Sequence, residues 1–208
     1  KLDLMLRIPI IGGLVSKKIR NKLGLGQARM CASGSAPIPA STLEWFRKVG
    51  VNISEGWGMT ENSAYGTGCV PFRADKIGSI GKAYEGVDIR IAEDGEIQVK
   101  GPCNMKEYYL EPEKTAEVID REGWFATGDI AVVDEDGYPR IVDRKKDMII
   151  VSGFNVYPNE VENVLSSHDD VIECAVIGVP DPVAGESVRA YVVRRSEQLT
   201  TVILNDYA

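Results

Sequence analysis

The pattern of hydrophobic and polar residues over the first third of the chain is that of helices and short buried strands. Small and turn-forming residues separate these segments, which is the order strand, loop, helix, strand typical of a parallel α/β sheet. The predicted elements are a helix within residues 1–27, a strand over 29–33, a helix that begins at a capping box in 41–44 and stops at Gly50, and a strand over 51–54.

The pattern changes after Pro71 to a strict alternation of period two. Residues 88–91 and 96–99 alternate on either side of Asp94-Gly95, and residues 130–133 and 138–142 do so around Asp136-Gly137. An Asp-Gly pair between two alternating runs is a strong hairpin signal. We therefore predict an antiparallel, barrel-like or sandwich-like region between about residues 76 and 143.

A run of five charged residues, 143–147, interrupts this alternation and indicates a domain boundary. Beyond it we expect a small α+β unit with a strand over 148–151, a helix from Pro158, and strands over 171–179 and 187–193. The predicted domains are 1–75, an α/β part; 76–145, a β-rich part; and 146–208, an incomplete α+β part, with a hinge at about 143–147.

Composition excludes several classes of protein. With 44% apolar residues and 26% charged residues among 208, the chain is globular rather than disordered. The net charge of −7, without a basic block, argues against a nucleic-acid partner. The apolar stretch 8–15 is much shorter than the roughly 20 residues of a membrane span and resembles no signal peptide.

The cysteines and the histidine further limit the kinds of site that the chain can form. The four cysteines form no C-x-x-C pair, which predicts free thiols and a cytoplasmic protein. The lone histidine, His168, excludes a histidine metal cluster and is expected at a helix end. The apolar and basic start, residues 4–20, is interpreted as a core helix or lid, with contact to a membrane surface as the alternative.

Three segments carry residues suited to nucleotide chemistry. Residues 55–61 (EGWGMTE) follow a predicted strand, where α/β sheets bind ligands, and they offer the Thr60 hydroxyl and a Glu61 carboxylate suited to Mg²⁺. Residues 123–129 (GWFATGD) could present Asp129 to sugar hydroxyls. Residues 141–158 combine the charge run with a buried strand, as a hinge would. Taken singly, the first segment is equally typical of a turn beside a core tryptophan, and the second more typical of a turn aspartate that caps its own backbone.

In this order the three segments resemble the adenylate-forming enzymes, the superfamily of acyl-CoA synthetases, peptide-synthetase adenylation domains and beetle luciferases. The resemblance covers residues 28–193. It is strongest to long- and medium-chain fatty acyl-CoA ligases, through WGMTE (57–61), GEIQVKGP (95–102), WFATGD (124–129) and DRKKD (143–147). It implies an α/β and α+β multidomain fold: the end of a parallel α/β subdomain, a β-rich subdomain and a mobile C-terminal lid.

The resemblance also implies roles for single residues. Those expected at the adenine and the phosphates are Ser35, Ala36 and Pro37 of the adenine loop 33–37, Trp57 (a tyrosine in the family) with Gly58, Thr60 at the α-phosphate and Glu61 as the Mg²⁺ ligand. Those expected at the ribose and in the second half-reaction are Asp129 at the ribose hydroxyls, Arg144 beside it, Lys146 at the hinge, and Gly153 in the loop that enters during thioester formation.

The implied activity is a two-step acyl transfer that uses ATP, Mg²⁺ and CoA. A carboxylic acid, with a fatty acid as the first candidate, becomes acyl-AMP, and the acyl group then passes to CoA. The family's phosphate loop and its C-terminal lysine match no residue here, so we expect a piece of a longer enzyme, cut at both ends and inactive by itself. Two alternatives stay open: a ligase for an aryl, short-chain or amino acid, and a module that binds AMP or acyl-AMP without catalysis.

Overall fold

A computed structural model describes residues 2–6 and 8–207 of the chain, which contain helices and three small sheets. The helices are α1 (Leu2–Leu6), α2 (Pro9–Lys22), α3 (Ala40–Lys48), α4 (Pro112–Val118), α5 (Pro158–Ser166) and α6 (Thr201–Tyr207). The strands are β1 (Cys31–Ser33), β2 (Ile53–Trp57), β3 (Thr67–Gly68), β4 (Lys82–Ala83), β5 (Asp88–Ile91), β6 (Glu96–Lys100), β7 (Phe125–Val133), β8 (Pro139–Arg144), β9 (Ile149–Val151), β10 (Phe154–Val156), β11 (Val171–Asp181) and β12 (Gly185–Arg194).

The chain divides into two compact units, and each consists of separate stretches of sequence. The first unit contains the residues up to Ile89 together with Val99–Gly123 and Val133–Arg140. The second contains Arg90–Gln98, Trp124–Val132 and the residues from Ile141 onward. The domain limits 1–75, 76–145 and 146–208 stay a prediction.

The first unit holds a mixed sheet in the order β1-β2-β3-β4. Strands β1 and β2 are parallel, with Cys31 opposite Ile53 and Ser33 opposite Glu55, and α3 connects them as predicted. Strands β3 and β4 add antiparallel pairs. Leu43 on α3, together with Val49 and Val51 after it, is buried and anchors the helix.

The capping box predicted in residues 41–44 is wrong. Helix α3 begins one residue earlier, at Ala40, with Pro39 as its cap and no side-chain cap bond. Ser41 is thus already inside the first turn, and Glu44 pairs with Arg47 at 2.8 Å instead of returning to the helix start. The predicted stop at Gly50 is confirmed, since this residue has φ +79° and donates its N–H to the Arg47 carbonyl.

Both predicted Asp-Gly hairpins are confirmed. Strands β5 to β8 form a sheet in chain order, and the turn residues Gly95 and Gly137 have φ of +85° and +80°. A positive φ favours glycine at each turn. The barrel-like closure expected for this region stays a prediction.

The second unit contains the sheet β10-β9-β12-β11, which packs against α5. Pro158 begins α5 as predicted, and the helix buries Leu165 against Ile149 and Val176. Strands β11 and β12 form a long antiparallel hairpin that contains the two strands predicted there. His168 lies just after α5, as expected for a residue at a helix end.

Two expectations from composition are answered directly. All four cysteines are free thiols, and Cys69 is buried. Within the residues described, every helix is too short or too polar to cross a membrane. Helix α2 is not a core helix here, because Ile10 and Leu14 are 79% and 66% exposed.

Candidate functional site

The parallel pair β1–β2 brings two of the predicted site loops to one sheet edge. Because Ser33 lies opposite Glu55, the loop with Ser35, Ala36 and Pro37 leaves the same edge as the segment with Thr60 and Glu61. The two backbones are close, since a Cβ added to Gly34 would lie 3.0 Å from the Gly56 carbonyl oxygen. This is the edge at which α/β sheets bind ligands.

A tight 3₁₀ turn, Thr60–Asn62, shapes the end of the second loop. Its core is the buried side chain of Asn62, whose Oδ1 accepts a hydrogen bond from the Met59 N–H at 2.8 Å. Gly58 has no room for a side chain, because a Cβ would lie 2.5 Å from the carbonyl carbon of Ala64. The turn leaves Thr60 exposed and Glu61 half-buried, so both side chains can meet a ligand.

The half-buried ring of Trp57 lies against the backbone of Gly66. A Cβ at Gly66 would come within 2.6 Å of the ring carbon Cε3. A side chain in place of Gly66 would therefore displace the indole, and the contact fixes where the ring stands at the end of β2.

Glu61 is held by residues far away in the sequence. Its carbonyl oxygen accepts the Met105 N–H at 2.5 Å, and its Oε1 accepts the Tyr108 hydroxyl at 3.0 Å. Burial raises the pKa of Tyr108, and the hydrogen bond to Glu61 raises it further. Sequence reasoning missed Tyr108, because one tyrosine of a Tyr-Tyr pair carries no motif.

The described residues, 2–6 and 8–207, hold no cluster of three histidine, cysteine or carboxylate side chains suited to a metal ion. Within this part of the chain, no set of protein ligands alone would hold a metal ion. A Mg²⁺ ion that arrives with nucleotide phosphates needs only one or two carboxylates, since it keeps several waters. Glu61 fits that second role, because Tyr108 donates to only one of its two oxygens.

Glu55 is a second carboxylate; it is the first residue of the segment 55–61, but sequence reasoning gave it no role. Its Oε2 accepts the Gly78 N–H at 2.6 Å, which fastens the segment before β4 to β2. Burial raises the pKa of Glu55 above its usual value, while the Gly78 N–H and the Arg140 guanidinium oppose the rise. Its contacts are structural, and they support the strand that carries Gly56 and Trp57.

In the second unit, Asp129 lies within strand β7, in a part of the strand that several hydrogen bonds hold in place. Its N–H donates to the Thr127 hydroxyl at 3.1 Å, and that hydroxyl donates to the Ile97 carbonyl at 2.8 Å. Gly128 has φ +75° and donates its N–H to Glu96 at 2.7 Å. Asp129 therefore follows directly after a glycine that has a positive φ within the strand.

Glu96 connects this part of β7 to the charged run 143–147. One carboxylate oxygen accepts the Gly128 N–H, and the other accepts the Lys145 ammonium at 3.0 Å. Lys145 also reaches Asp94 at 2.6 Å, which lowers the pKa of Asp94 and raises that of Lys145. Glu96 is 7% exposed, and a buried carboxylate requires hydrogen-bond partners such as these. Sequence reasoning passed over it as a strand residue.

Arg144 lies beside Asp129, as the resemblance implies. The distance from its Nε to Asp129 Oδ1 is 3.7 Å. Its own N–H donates at 2.7 Å to Asp143, a buried carboxylate that also accepts the backbone and side-chain N–H groups of Asn159 on α5.

The last two predicted residues lie in exposed turns. Lys146 is in the turn after β8, where the Asp147 N–H donates to the Arg144 carbonyl. Gly153, with φ +86°, forms the turn between β9 and β10 together with Ser152, with φ +51°. Among the described residues of the second unit, neither Lys146 nor Gly153 contacts another predicted site residue.

The candidate residues thus form two groups. The first unit brings together residues 35–37 and 57–61, and the second brings together Asp129 and Arg144. In the first group the Tyr108 hydroxyl holds the Glu61 carboxylate, and in the second the Arg144 guanidinium lies beside the Asp129 carboxylate.

Comparison with known sequences matches both ends of the chain. The profile of the AMP-binding enzyme family matches residues 9–109, and that of the AMP-binding enzyme C-terminal domain matches residues 160–208. A protein of Yersinia pestis named long-chain-fatty-acid–CoA ligase is 42% identical over 202 residues. The match covers 92% of this chain and 36% of that protein, so the chain spans about a third of the relative's length.

Comparison with solved structures also finds enzymes that are similar to this chain. The o-succinylbenzoate CoA synthetase of Bacillus subtilis, in complex with its acyl-adenylate intermediate, is similar with a TM-score of 0.78 and 35% identity, over 86% of this chain and 39% of that one. ATP-bound MatB of Rhodopseudomonas palustris is similar with a TM-score of 0.79 and 37% identity, over 98% of this chain and 44% of that one.

Proposed function

The chain belongs to the AMP-binding enzyme family, and from this premise we propose that the protein containing it is an AMP-forming acid–thiol ligase. It would activate a carboxylic acid with ATP and transfer the acyl group to CoA. The observation that carries the proposal is the sheet edge after β1 and β2. There, one parallel register brings the loop 33–37 beside a turn that presents Thr60 and a hydrogen-bonded Glu61.

In the first half-reaction the substrate carboxylate attacks the α-phosphorus of ATP, and the bond to the pyrophosphate leaving group breaks. We assign the Thr60 hydroxyl to an α-phosphate oxygen and the loop with Ser35, Ala36 and Pro37 to the adenine. Trp57, next to Gly58, is assigned to one face of the same base. When bound, Mg²⁺ supplies charge neutralisation at the phosphates, and Glu61 is its protein ligand.

Asp129 is assigned to the ribose hydroxyls, with Arg144 beside it. A carboxylate suits two adjacent hydroxyl donors because it has acceptor capacity on both oxygens. The 3.7 Å distance from Arg144 Nε to Asp129 Oδ1 supports this assignment, since it keeps the guanidinium beside the carboxylate. In the second half-reaction the CoA thiol attacks the acyl carbon, and AMP is the leaving group.

The proposed hinge lies in the charged run 143–147. Lys146 is assigned as the pivot about which the C-terminal lid turns, and Gly153 as part of the loop that the lid delivers for thioester formation. The support is local: Asp143 and Lys145 are tied by hydrogen bonds, whereas Lys146 is exposed in a turn. Hinges are formed by a few loop or element-terminal residues that absorb the change in φ and ψ, and Lys146 lies in such a turn.

We propose a fatty acid as the substrate, because the Yersinia relative carries that name over 92% of this chain. The similarity to an o-succinylbenzoate CoA synthetase keeps an aryl acid as the second candidate. The proposed location is the cytoplasm, with contact at a membrane surface through α2 left as the alternative, since α2 exposes apolar residues beside Lys17 and Lys18.

The test is acid-dependent exchange between ATP and labelled pyrophosphate by the intact protein, with a panel of fatty, aryl, short-chain and amino acids. We expect exchange with fatty acids and, on addition of CoA, release of AMP. Nucleotide binding without exchange for any acid would instead favour the non-catalytic module. Exchange with amino or aryl acids alone would contradict the fatty-acid assignment.

Substitutions connect this assay to the site. Thr60→Val and Asp129→Asn should each reduce the exchange rate about tenfold or more, because a hydrogen bond to a charged group contributes about 1.5–3 kcal/mol. Thr201→Val and Asp88→Asn are matched controls, since both positions are exposed and outside the candidate groups. Equal losses in the controls would remove the site assignment.

A further inference from the structure

Two loops of the first unit are tied together around Glu61. The Met105 N–H donates to the Glu61 carbonyl at 2.5 Å, and the Ser63 hydroxyl donates to the Cys103 carbonyl at 3.1 Å. The Cys103 thiol donates to the Tyr65 carbonyl at 3.3 Å. We name residues 103–108 the strap, because its contacts hold the segment 61–65 from the side.

Tyr108 is the residue of the strap that reaches the carboxylate itself. Its hydroxyl donates to Glu61 Oε1 at 3.0 Å, and its ring is half-buried. The backbone beneath it is also held, since its N–H donates to the Thr115 hydroxyl on α4 at 2.9 Å. Thr115 in turn donates to the Glu111 carbonyl, so the first turn of α4 supports the strap.

A hydrogen bond to one oxygen restricts the rotation of a carboxylate and leaves the other oxygen available. Within the residues that the structure describes, no side chain or backbone N–H donates to Glu61 Oε2. A glutamate that is free to rotate would lose side-chain entropy on binding an ion, and a held one loses less. The contact therefore prepares Glu61 to act as a ligand.

We propose that Tyr108 is a positioning residue that fixes the Glu61 carboxylate for the Mg²⁺ of a bound nucleotide. The proposal rests on the proposed function, because it assumes that the ion arrives with ATP. Its chemistry is limited to orientation: Tyr108 touches neither the nucleotide nor the ion, and it keeps its proton while it donates to Glu61.

The test is calorimetric measurement of ATP affinity for the intact protein, with Mg²⁺ and with EDTA. In Tyr108→Phe we expect the gain in affinity from Mg²⁺ to fall about tenfold, the size of one hydrogen bond to a charged group. Affinity in EDTA should not change. Tyr109→Phe is the matched control, because Tyr109 is 85% exposed and should keep the full gain.

A double-mutant cycle separates orientation from general stability. In a Glu61→Ala background, Tyr108→Phe should have no further effect on the Mg²⁺ gain. A loss of equal size in that background, or an equal loss in EDTA, would overturn the proposal, as would a full Mg²⁺ gain in Tyr108→Phe. If Tyr108→Phe fails to fold, Thr115→Val shifts the strap with both side chains intact and should reproduce the selective loss.

The same experiment distinguishes the two levels of inference. If the unmodified protein gains nothing from Mg²⁺, the proposed function fails and the role of Tyr108 fails with it. If the unmodified protein shows the gain and Tyr108→Phe retains it, only the positioning role is wrong.

Discussion

At the scale of single residues, Glu55 illustrates a carboxylate that the fold buries for support. It is the residue before Gly56 and Trp57, and its bond to the Gly78 N–H joins β2 to the segment before β4. Burial raises its pKa above the ordinary 4.5. The native state therefore keeps the proton to a higher pH than the unfolded chain does.

A pH dependence of stability follows from this shift. Because the native state binds the proton more tightly, the free energy of unfolding falls as the pH rises above 4.5 through the native pKa of Glu55. Glu55→Gln removes the titration but keeps an acceptor for Gly78, so this part of the decline should disappear. Urea unfolding between about pH 4.5 and pH 7 measures it.

Glu85→Gln is the control for that measurement, since Glu85 is exposed. Its unfolding curve should follow the unmodified protein at every pH. An identical slope for Glu55→Gln and the unmodified protein would show that Glu55 titrates alike in both states.

The same scale shows which residues sequence alone can find. Thr60, Glu61 and Asp129 belong to short motifs, so a linear reading names them. The partners that fix them do not: Glu55 reaches Gly78 across 23 positions, Glu96 reaches Gly128 across 32, and Tyr108 reaches Glu61 across 47. Such contacts depend on the tertiary fold, and no local pattern encodes them.

At the scale of elements, the turn after β2 depends on the absence of one side chain. A Cβ at Gly58 would lie 2.5 Å from the Ala64 carbonyl carbon, closer than real atoms approach. Gly58→Ala should therefore open the turn and cost about 1–3 kcal/mol of stability. It should also weaken ATP binding, because Thr60 and Glu61 would move. Thermal unfolding and calorimetry measure the two effects.

Gly13→Ala is the matched substitution without that clash. A Cβ at Gly13 meets nothing within 4 Å, and helix propensity favours alanine over glycine. Its melting temperature should stay the same or rise, and ATP binding should be unchanged. A Gly58→Ala variant that behaves like Gly13→Ala would show that the turn tolerates a side chain.

Elements differ in how far sequence predicts them. The hairpins at Gly95 and Gly137 were predictable, since the turn residues themselves set the geometry. The start of α3 was not, because Pro39 outweighs the serine and glutamate of an apparent capping box. Strands β3 and β4 have two residues each, too few for any periodicity.

At the scale of the whole molecule, the proposed nucleotide contacts come from both units. Residues 35–37 and 57–61 belong to the first, and Asp129 and Arg144 to the second. A ligand that binds either group stabilises that group against local opening. The prediction is tested on the intact protein, with the backbone amides of each group as separate reporters.

Hydrogen exchange measures this prediction. With ATP and Mg²⁺ at about 100 times the Kd, amides in residues 57–61 and in 127–130 should both exchange up to about 100-fold more slowly. Amides of α2 serve as the control and should not change. Protection confined to residues 57–61 would contradict the assignment of Asp129 to the ribose.

The interleaving of the two units also has a consequence for how the protein is made. The chain passes between them at five points, the last between Arg140 and Ile141. A ribosome delivers residues in order, so the first unit lacks part of its own material until residue 140 has emerged. Until then the early strands of the first unit lack some of their contacts, while residues of the second unit are being synthesised. For this chain, the period of greatest exposure to chaperones and proteases falls before residue 140 has emerged from the ribosome.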